Sequence, residues 1–539
     1  LGAGWRVLGI NEQITNLEAS MNMLLKAGVA GLALVMASGF AADAKTPKDT
    51  LVMAWVFDDI ISLDPAEIYE FSSSEYMANT YDRLVVQDLD KPGELKMQAA
   101  ESFSVSDDGK VFTFKIRPGI KFASGNEMTA EDAEFSLERY VLLDKSPAFI
   151  MNQFGLKKET VKDMIRTKDA STLEIELDAP YAPSFFLNCL SYTSAVVDKK
   201  EAMSHEKDGD LGYDWMRTNY AGSGPFVLKA WKPNESLVLE ANENYWGGAP
   251  AIKRVLAKNV TESATQQLLL QKGDVDMARN LTGDQLKAIA GDKSVHVAAA
   301  PKATLWYMGL NTKNENLAKP EVRQAMKYLV DYDGLANTSF KAIGIKHQTF
   351  LPEGQLGADN ETPFKLDVAK AKELLAKAGL PNGFNITMDT TNKTETRLLS
   401  ASIQNTMSKA GINLIIKLAD NKTTLTKYRA SQHDIYIGQW GSDYQDPHSN
   451  AEGFLMAPLA KRNQWQLPEN ETAVLAARDE KDGTKRAAMY MTLQKQALET
   501  SPYVIMFQQV ETAAVQNNVK GFVLGPTFDL NLYSNVTKE

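Results

Sequence analysis

Little in this sequence points to covalent chemistry or to nucleic acid. Its 539 residues include one cysteine, Cys189, so no internal disulfide can form. The five histidines, His205, His296, His347, His433 and His448, are scattered, and no two fall at helical metal-ligand spacing. No G-x-S-x-G elbow, H-E-x-x-H, P-loop or C-x-x-C occurs, which removes the common signatures of hydrolases, zinc proteases, nucleotide-driven machines and redox enzymes. Catalysis thus has no positive support, and no metal or cofactor is expected. With 58 Lys and Arg against 68 Asp and Glu, the net charge of -10 gives no basic excess to hold a phosphate backbone. A weak general attraction for cationic solutes is the most that this charge supports. No internal repeat indicates a solenoid or propeller. Beyond the N-terminal segment no apolar run approaches the ~20 residues that span a bilayer.

What is present is the composition of a soluble globular protein, 44% hydrophobic and 23% charged, in a chain too long for one core. Two or three domains are expected. Residues 1–20 precede the first methionines, Met21 and Met23, and are expected to be a non-native upstream extension. Residues 21–44 then carry Lys26, an apolar run from Ala27 to Ala37 and small residues at Ala41 to Ala44, the three-part pattern of a cleaved signal peptide. The mature protein is expected to begin between Ala41 and Lys45 and to be a soluble monomer in the periplasm. The single cysteine lies far from that cleavage site, so a lipid anchor is not expected. Set among Phe185, Phe186, Leu187 and Leu190, Cys189 reads as a buried, inert thiol.

Hydrophobic periodicity predicts both element types. Leu51 to Val56 has the composition of a first strand. A turn at Asp107, Asp108 and Gly109 leads into an alternating strand with Phe112, Phe114 and Ile116 on one face, and Leu173, Ile175 and Leu177 make another. Between them Thr129 is placed to cap a helix through Glu131 to Arg139. In the second half, Asp367 is placed to cap a helix with Val368, Ala371, Leu374, Leu375 and Ala378 on one stripe, closed by Gly379. The strand Phe384, Ile386, Met388, a helix from Leu398 to Ala410, and the strand Ile412 to Leu418 predict a βαβ unit in an open α/β domain. Such sheets bind ligands beyond the carboxyl ends of their strands, so the segment Gln439 to Pro447, read as a loop after a strand from His433 to Gly438, is where a ligand is sought. Tyr503 to Val510 is a further strand, followed by Gly521 to Leu524.

Spread along the chain is a set of motifs in fixed order: Ser62-Leu63-Asp64-Pro65, Tyr81-Asp82-Arg83-Leu84, Ala100-Glu101-Ser102-Phe103, the run from Asp108 to Asp132, Gly222-Ser223-Gly224-Pro225-Phe226, Asn244-Tyr245-Trp246, Gly309-Leu310-Asn311, Pro320 with Val322, Arg323 and Ala325, and Trp440, Asp443, Tyr444, Asp446 and Pro447. Together they resemble the peptide- and nickel-type extracytoplasmic solute-binding proteins, family 5, of ABC importers. The resemblance implies a two-lobed α/β periplasmic binding protein of type II with an extra N-terminal subdomain. On this chain it implies lobe I at 50–84 and 208–303 with the extra subdomain at 85–207, lobe II at 304–505, and a return to lobe I at 506–539. Closed lobes holding a ligand are then recognised by a membrane permease and its ATPase, so the chain itself needs no nucleotide motif.

Site roles carry over at matching positions only. Asp443, of the W-x-x-D motif, matches the residue that holds a ligand ammonium group. Trp440 and Gly441 match positions lining the cleft, and Tyr69, Glu70 and Phe71 match the facing segment of lobe I. The bulk of those three, and Gln439 before the tryptophan, depart from typical peptide binders and narrow the cleft against long peptides. Trp306 and Tyr307 are placed near the crossing between lobes, with cleft wall and core packing both open. The expected cargo is a short peptide or a peptide-like amino-acid derivative such as an opine. An oligosaccharide or a nickel chelate, the latter touched by His448, are alternatives within the family, and an exported hydrolase or a chaperone-like clasp are alternatives outside it.

Overall fold

The computed structural model describes residues 46–539 apart from 90, 92, 93, 182 and 481. The upstream-extension and signal-peptide readings fall on residues 1–45 and lie outside the described residues. Alternation builds the frame. The fully buried strand Thr50–Trp55 sends Leu51, Met53 and Trp55 into one core and Val52 and Ala54 into another. That two-sided burial is what a parallel strand covered on both faces requires. It runs parallel to Arg254–Asn259 and to Met277–Ala278. Ser236–Ala241 and Phe226–Lys232 extend this sheet antiparallel at its edge.

The second lobe is the expected βαβ unit. Asn385–Thr391 lies parallel to both Asn413–Ala419 and Ile435–Gly441, and the helix Thr394–Lys409 makes the crossover. Asp367 caps the helix Val368–Lys377 by accepting from the Lys370 amide at 2.8 Å. The two lobes share one sheet, because the long strands Val295–Leu310 and Tyr503–Gln516 run antiparallel through both. Their register slips between Pro301 and Leu305.

The extra subdomain is a four-stranded antiparallel sheet in the order Ala100–Val105, Val111–Ile116, Thr172–Glu176, Ile165–Asp169. Gly109, at φ 74°, supplies the left-handed turn before the second of these. Phe112, Phe114 and Ile116 are buried in a core shared with the helix Ala130–Leu142, which Thr129 and Asp132 close in a reciprocal capping box. Arg139 on that helix clasps Asp64 with two bonds of 2.6 Å, both side chains fully buried.

Many motif residues hold the frame. Asp82 accepts from Ser223 at 2.7 Å and from Tyr245 and Trp246 at 3.1 Å each. Burial still pushes its carboxyl up to about 6. Gly224 is required by close approach, since a Cβ there would lie 2.4 Å from the Thr80 carbonyl carbon.

Three sequence expectations change. The strand expected at His433 to Gly438 is Ile435–Gly441, so Gln439, Trp440 and Gly441 are strand residues rather than loop. Their pairing with Trp306, Leu305 and Thr304 supplies backbone partners that local propensity does not reveal. Tyr503 to Val510 continues to Gln516, because its second half pairs with Val295 to Pro301. Gly521 to Leu524 forms no strand, and only Val523 makes an isolated bridge, to Leu532.

Candidate functional site

Between the lobes lies a cavity walled by residues of both. Lobe I contributes Asp59, Tyr69, Glu70 and Phe71 at the start of the helix Phe71–Thr80, whose N-cap is Glu70. Lobe II contributes Gln439, Trp440, Gly441 and Asp443 from the end of a strand and the turn beyond it, and Trp306 comes from a strand that crosses between lobes. All eight residues singled out in the sequence therefore border one space. Tyr307, next to Trp306, points to the opposite face of the strand and is core, bonded to the Tyr428 hydroxyl at 3.0 Å.

Asp443 is fixed from two sides. The turn Ser442 to Asp446 is held where Asp446 caps the helix Pro447–Leu455 and receives Arg486 at 2.8 and 2.9 Å. Its own amide donates to Ser449 Oγ at 3.0 Å. From the other lobe, the Tyr69 hydroxyl donates to Asp443 Oδ2 at 3.4 Å. Burial pushes the Asp443 carboxyl up to about 7, against the pull of the Tyr69 bond and of Arg462. Among the described residues no cation comes within salt-bridge distance of it.

The facing walls touch. Tyr69 meets the Trp440 ring edge-on at 6.2 Å between centroids, and Glu70 pairs with Arg429 at 2.6 Å. Burial raises the Glu70 carboxyl despite that partner. Asp58 lies 3.9 Å from Lys393 and accepts from the Asn421 amide at 3.3 Å. Phe71, stacked on Phe528 at 4.3 Å, reaches Gly441 so closely that a Cβ there would lie 2.7 Å from its ring. Two predicted residues are partly engaged: Gln439 donates to Gln509 at 2.9 Å, and Trp440 donates to Asn450 at 3.3 Å. The buried Trp306 indole N–H has no partner among the described residues.

Sequence reasoning missed Asp59, Lys393, Arg429 and Arg462, which also line the cavity. Lys393 follows the carboxyl end of Asn385–Thr391, so the strand-end rule, applied to this strand as it was to the next, finds it. The other three carry no local signal. His448 is not in the cavity; it is buried against Phe185, and burial holds its ring well below the usual imidazole range. Among the described residues no group of three or more His, Cys, Asp or Glu converges as metal ligands do, and no helix is long and apolar enough to cross a membrane.

A cavity walled by two lobes, with polar and aromatic side chains converging on it, is the geometry of a binding protein. Residues 94–458 match the family described as bacterial extracellular solute-binding proteins, family 5 Middle. This chain belongs to that family. Family 5 relatives span almost its whole length. The probable D,D-dipeptide-binding periplasmic protein DdpA of Escherichia coli K12 is 30% identical over 517 residues, covering 93% of this chain and 98% of that protein. The glutathione-binding protein GsiB of Salmonella typhi is 25% identical over 92% of this chain and 96% of its own. Among solved structures, the periplasmic binding protein AgaA from A. tumefacien R10, in complex with agropinic acid, superposes with a TM-score of 0.77 at 25% identity, covering 91% of this chain and 99% of its own. The Helicobacter pylori protein DppA, in complex with peptide STSA, shares the fold at a TM-score of 0.81, with 24% identity over 91% of this chain and 98% of its own. The chain is thus a family 5 solute-binding protein with the two-lobed fold, and these relatives are binding proteins of the periplasm.

Proposed function

We propose that this protein captures a short peptide or a peptide-like amino-acid derivative in the periplasm, after removal of its signal peptide, and delivers it as a monomer to an ABC permease and its ATPase. One observation carries the reading. Asp443 presents a carboxylate to the cavity, positioned from both lobes, with no cation within salt-bridge distance among the described residues. A ligand ammonium supplies the missing charge, and its burial is offset only by such a fixed partner. Closure is a hinge motion about the strands Val295–Leu310 and Tyr503–Gln516, and a ligand touching both walls stabilises the closed form. The charged lining favours a charged cargo over an oligosaccharide. Among the described residues no histidine lines the cavity, which weighs against a nickel chelate.

The test compares Ala-Ala with N-acetyl-Ala-Ala by calorimetric titration on the parent and on Asp443→Asn. Acetylation removes the ammonium, and the variant removes its partner. Either change weakens binding by roughly a hundredfold or more, taking ~3 kcal/mol for breaking a buried pair and ~1.4 kcal/mol per tenfold. A variant that binds Ala-Ala within threefold of the parent defeats the amine assignment.

A further inference from the structure

Away from the cavity the lobes meet again, at two unlike places. At one rim Arg397 of lobe II pairs with Glu262 of lobe I at 2.9 Å, with both side chains exposed. Such a pair adds little, because water competes for both charges. Behind Asp443 the contact is buried and aromatic. The subdomain helix Pro183–Thr193 carries Phe185, whose ring meets Tyr444 edge-on at 5.9 Å and His448 edge-on at 5.5 Å. Beside it the Arg478 guanidinium, from the lobe II helix Pro468–Asp479, lies 5.5 Å over the ring of Tyr181 in the subdomain.

Tyr444 gives this contact its consequence. It follows Asp443 in the turn whose Asp446 amide donates to the Tyr444 carbonyl at 2.8 Å. Its backbone is part of lobe II, yet its buried ring packs in the lobe I core with Phe154, Phe185 and Phe186 and belongs to neither core of lobe II. A hinge motion that parts the lobes draws this ring out of its setting and exposes apolar surface on both sides. One group opposes that gain: His448 Nδ1 is buried without a hydrogen-bond partner among the described residues and recovers water when the lobes part. The contact therefore favours the shut form without locking it.

We propose that the extra subdomain is a clasp: Phe185 grips Tyr444 and His448 when the lobes shut and so holds the turn that presents Asp443 to the cavity. None of the three lines the cavity, so they are positioning residues that act on capture through closure. The clasp rests on the hinge reading above and not on the identity of the cargo. Without it, only contacts across the cleft and at the exposed rim hold the lobes together.

A double-mutant cycle on Phe185→Leu and Tyr444→Leu tests this, since the two residues approach the contact from opposite lobes. Stopped-flow fluorescence with Ala-Ala gives dissociation about tenfold faster in each single variant, ~1.4 kcal/mol, with association within threefold of the parent. The double variant is no faster than either single one. Arg478→Ala, which belongs to no hydrophobic core, speeds dissociation by about threefold and keeps the test available if a core variant fails to fold by circular dichroism. Small-angle scattering without any ligand gives a larger radius of gyration for each variant than for the parent. Additive effects overturn the clasp, as does a change confined to Tyr444→Leu, which then acts on its neighbour Asp443 alone. Equal ligand-free radii overturn it as well; if Ala-Ala then still binds the parent and is lost in Asp443→Asn, the amine reading stands by itself. If Ala-Ala fails to bind the parent, the peptide reading falls and the ligand-free radii decide the clasp.

Discussion

The frame of lobe I and the cleft beside it bury similar side chains to opposite ends. In the frame, Arg139 clasps Asp64, Arg279 lies between Glu75 and Glu511, and Lys302 reaches Glu511 at 2.8 Å. Burial works against the Glu511 carboxylate, but Lys302 and Arg279 outweigh it and draw it down. In the cleft, Asp443 has only a phenol, and burial drives it up to about 7. The difference lies in saturation rather than in burial: these frame charges have found charged protein partners, while Asp443 has none among the described residues.

The sharpest way to break this contrast is to strand a frame charge. Asp64→Asn leaves Arg139 buried and unpaired, at a cost of about 3–5 kcal/mol. Denaturant unfolding reads that loss, while calorimetry on the folded protein finds unchanged ligand affinity. Asp443→Asn does the reverse, with affinity lost and stability kept. A loss under about 1 kcal/mol for Asp64→Asn collapses the distinction.

Next in size is a pH effect. The folded carboxyl of Asp443, near 7, lies above its ordinary value of 3.8, so the native state holds an extra proton between those values. Ligand-free stability therefore falls as pH rises through that window, and Asp443→Asn lacks this slope. An ammonium ligand binds the deprotonated form, so affinity falls by up to about tenfold per unit below pH 7. Denaturant unfolding without ligand and calorimetric titrations at pH 5, 6, 7 and 8 read the two trends, and flat affinity in the parent counts against them.

Smaller effects probe contact between the walls. Gly441→Ala places a methyl 2.7 Å from a Phe71 ring that Phe528 keeps from retreating. Overpacking of ~1–3 kcal/mol then weakens binding by roughly ten- to a hundredfold, and small-angle scattering shows less compaction with ligand. Glu70→Gln frees Arg429 from its buried partner across the cleft and costs about tenfold in affinity by calorimetry, ~1.4 kcal/mol.

The sequence made legible whatever is periodic or local. Phe112, Phe114 and Ile116 announce their strand and Asp367 its helix, and the family resemblance pointed to Asp443, Trp440 and Gly441 and to the facing Tyr69, Glu70 and Phe71. It did not reveal that Gln439 to Gly441 continue a strand, because a Gln-Trp-Gly run has no strand signature without Thr304 to Trp306 alongside. Nor did it reveal Arg462, which packing sets over the Tyr428 ring at the cavity wall.

The two long strands also set an order of events during synthesis. Arg83 pairs with Asp529 across 446 residues, and Ala513, Val515 and Tyr533 belong to the same core as Leu51 and Met53. Lobe II draws on a narrower span of chain, yet it too takes Val504 and Met506 from the returning strand. Neither lobe can close its core until the last tenth of the polypeptide has emerged. A chain emerging from its N-terminal end therefore stays unfinished for most of its passage, with high contact order and slow folding. That delay keeps both cores open until the returning C-terminal strand arrives.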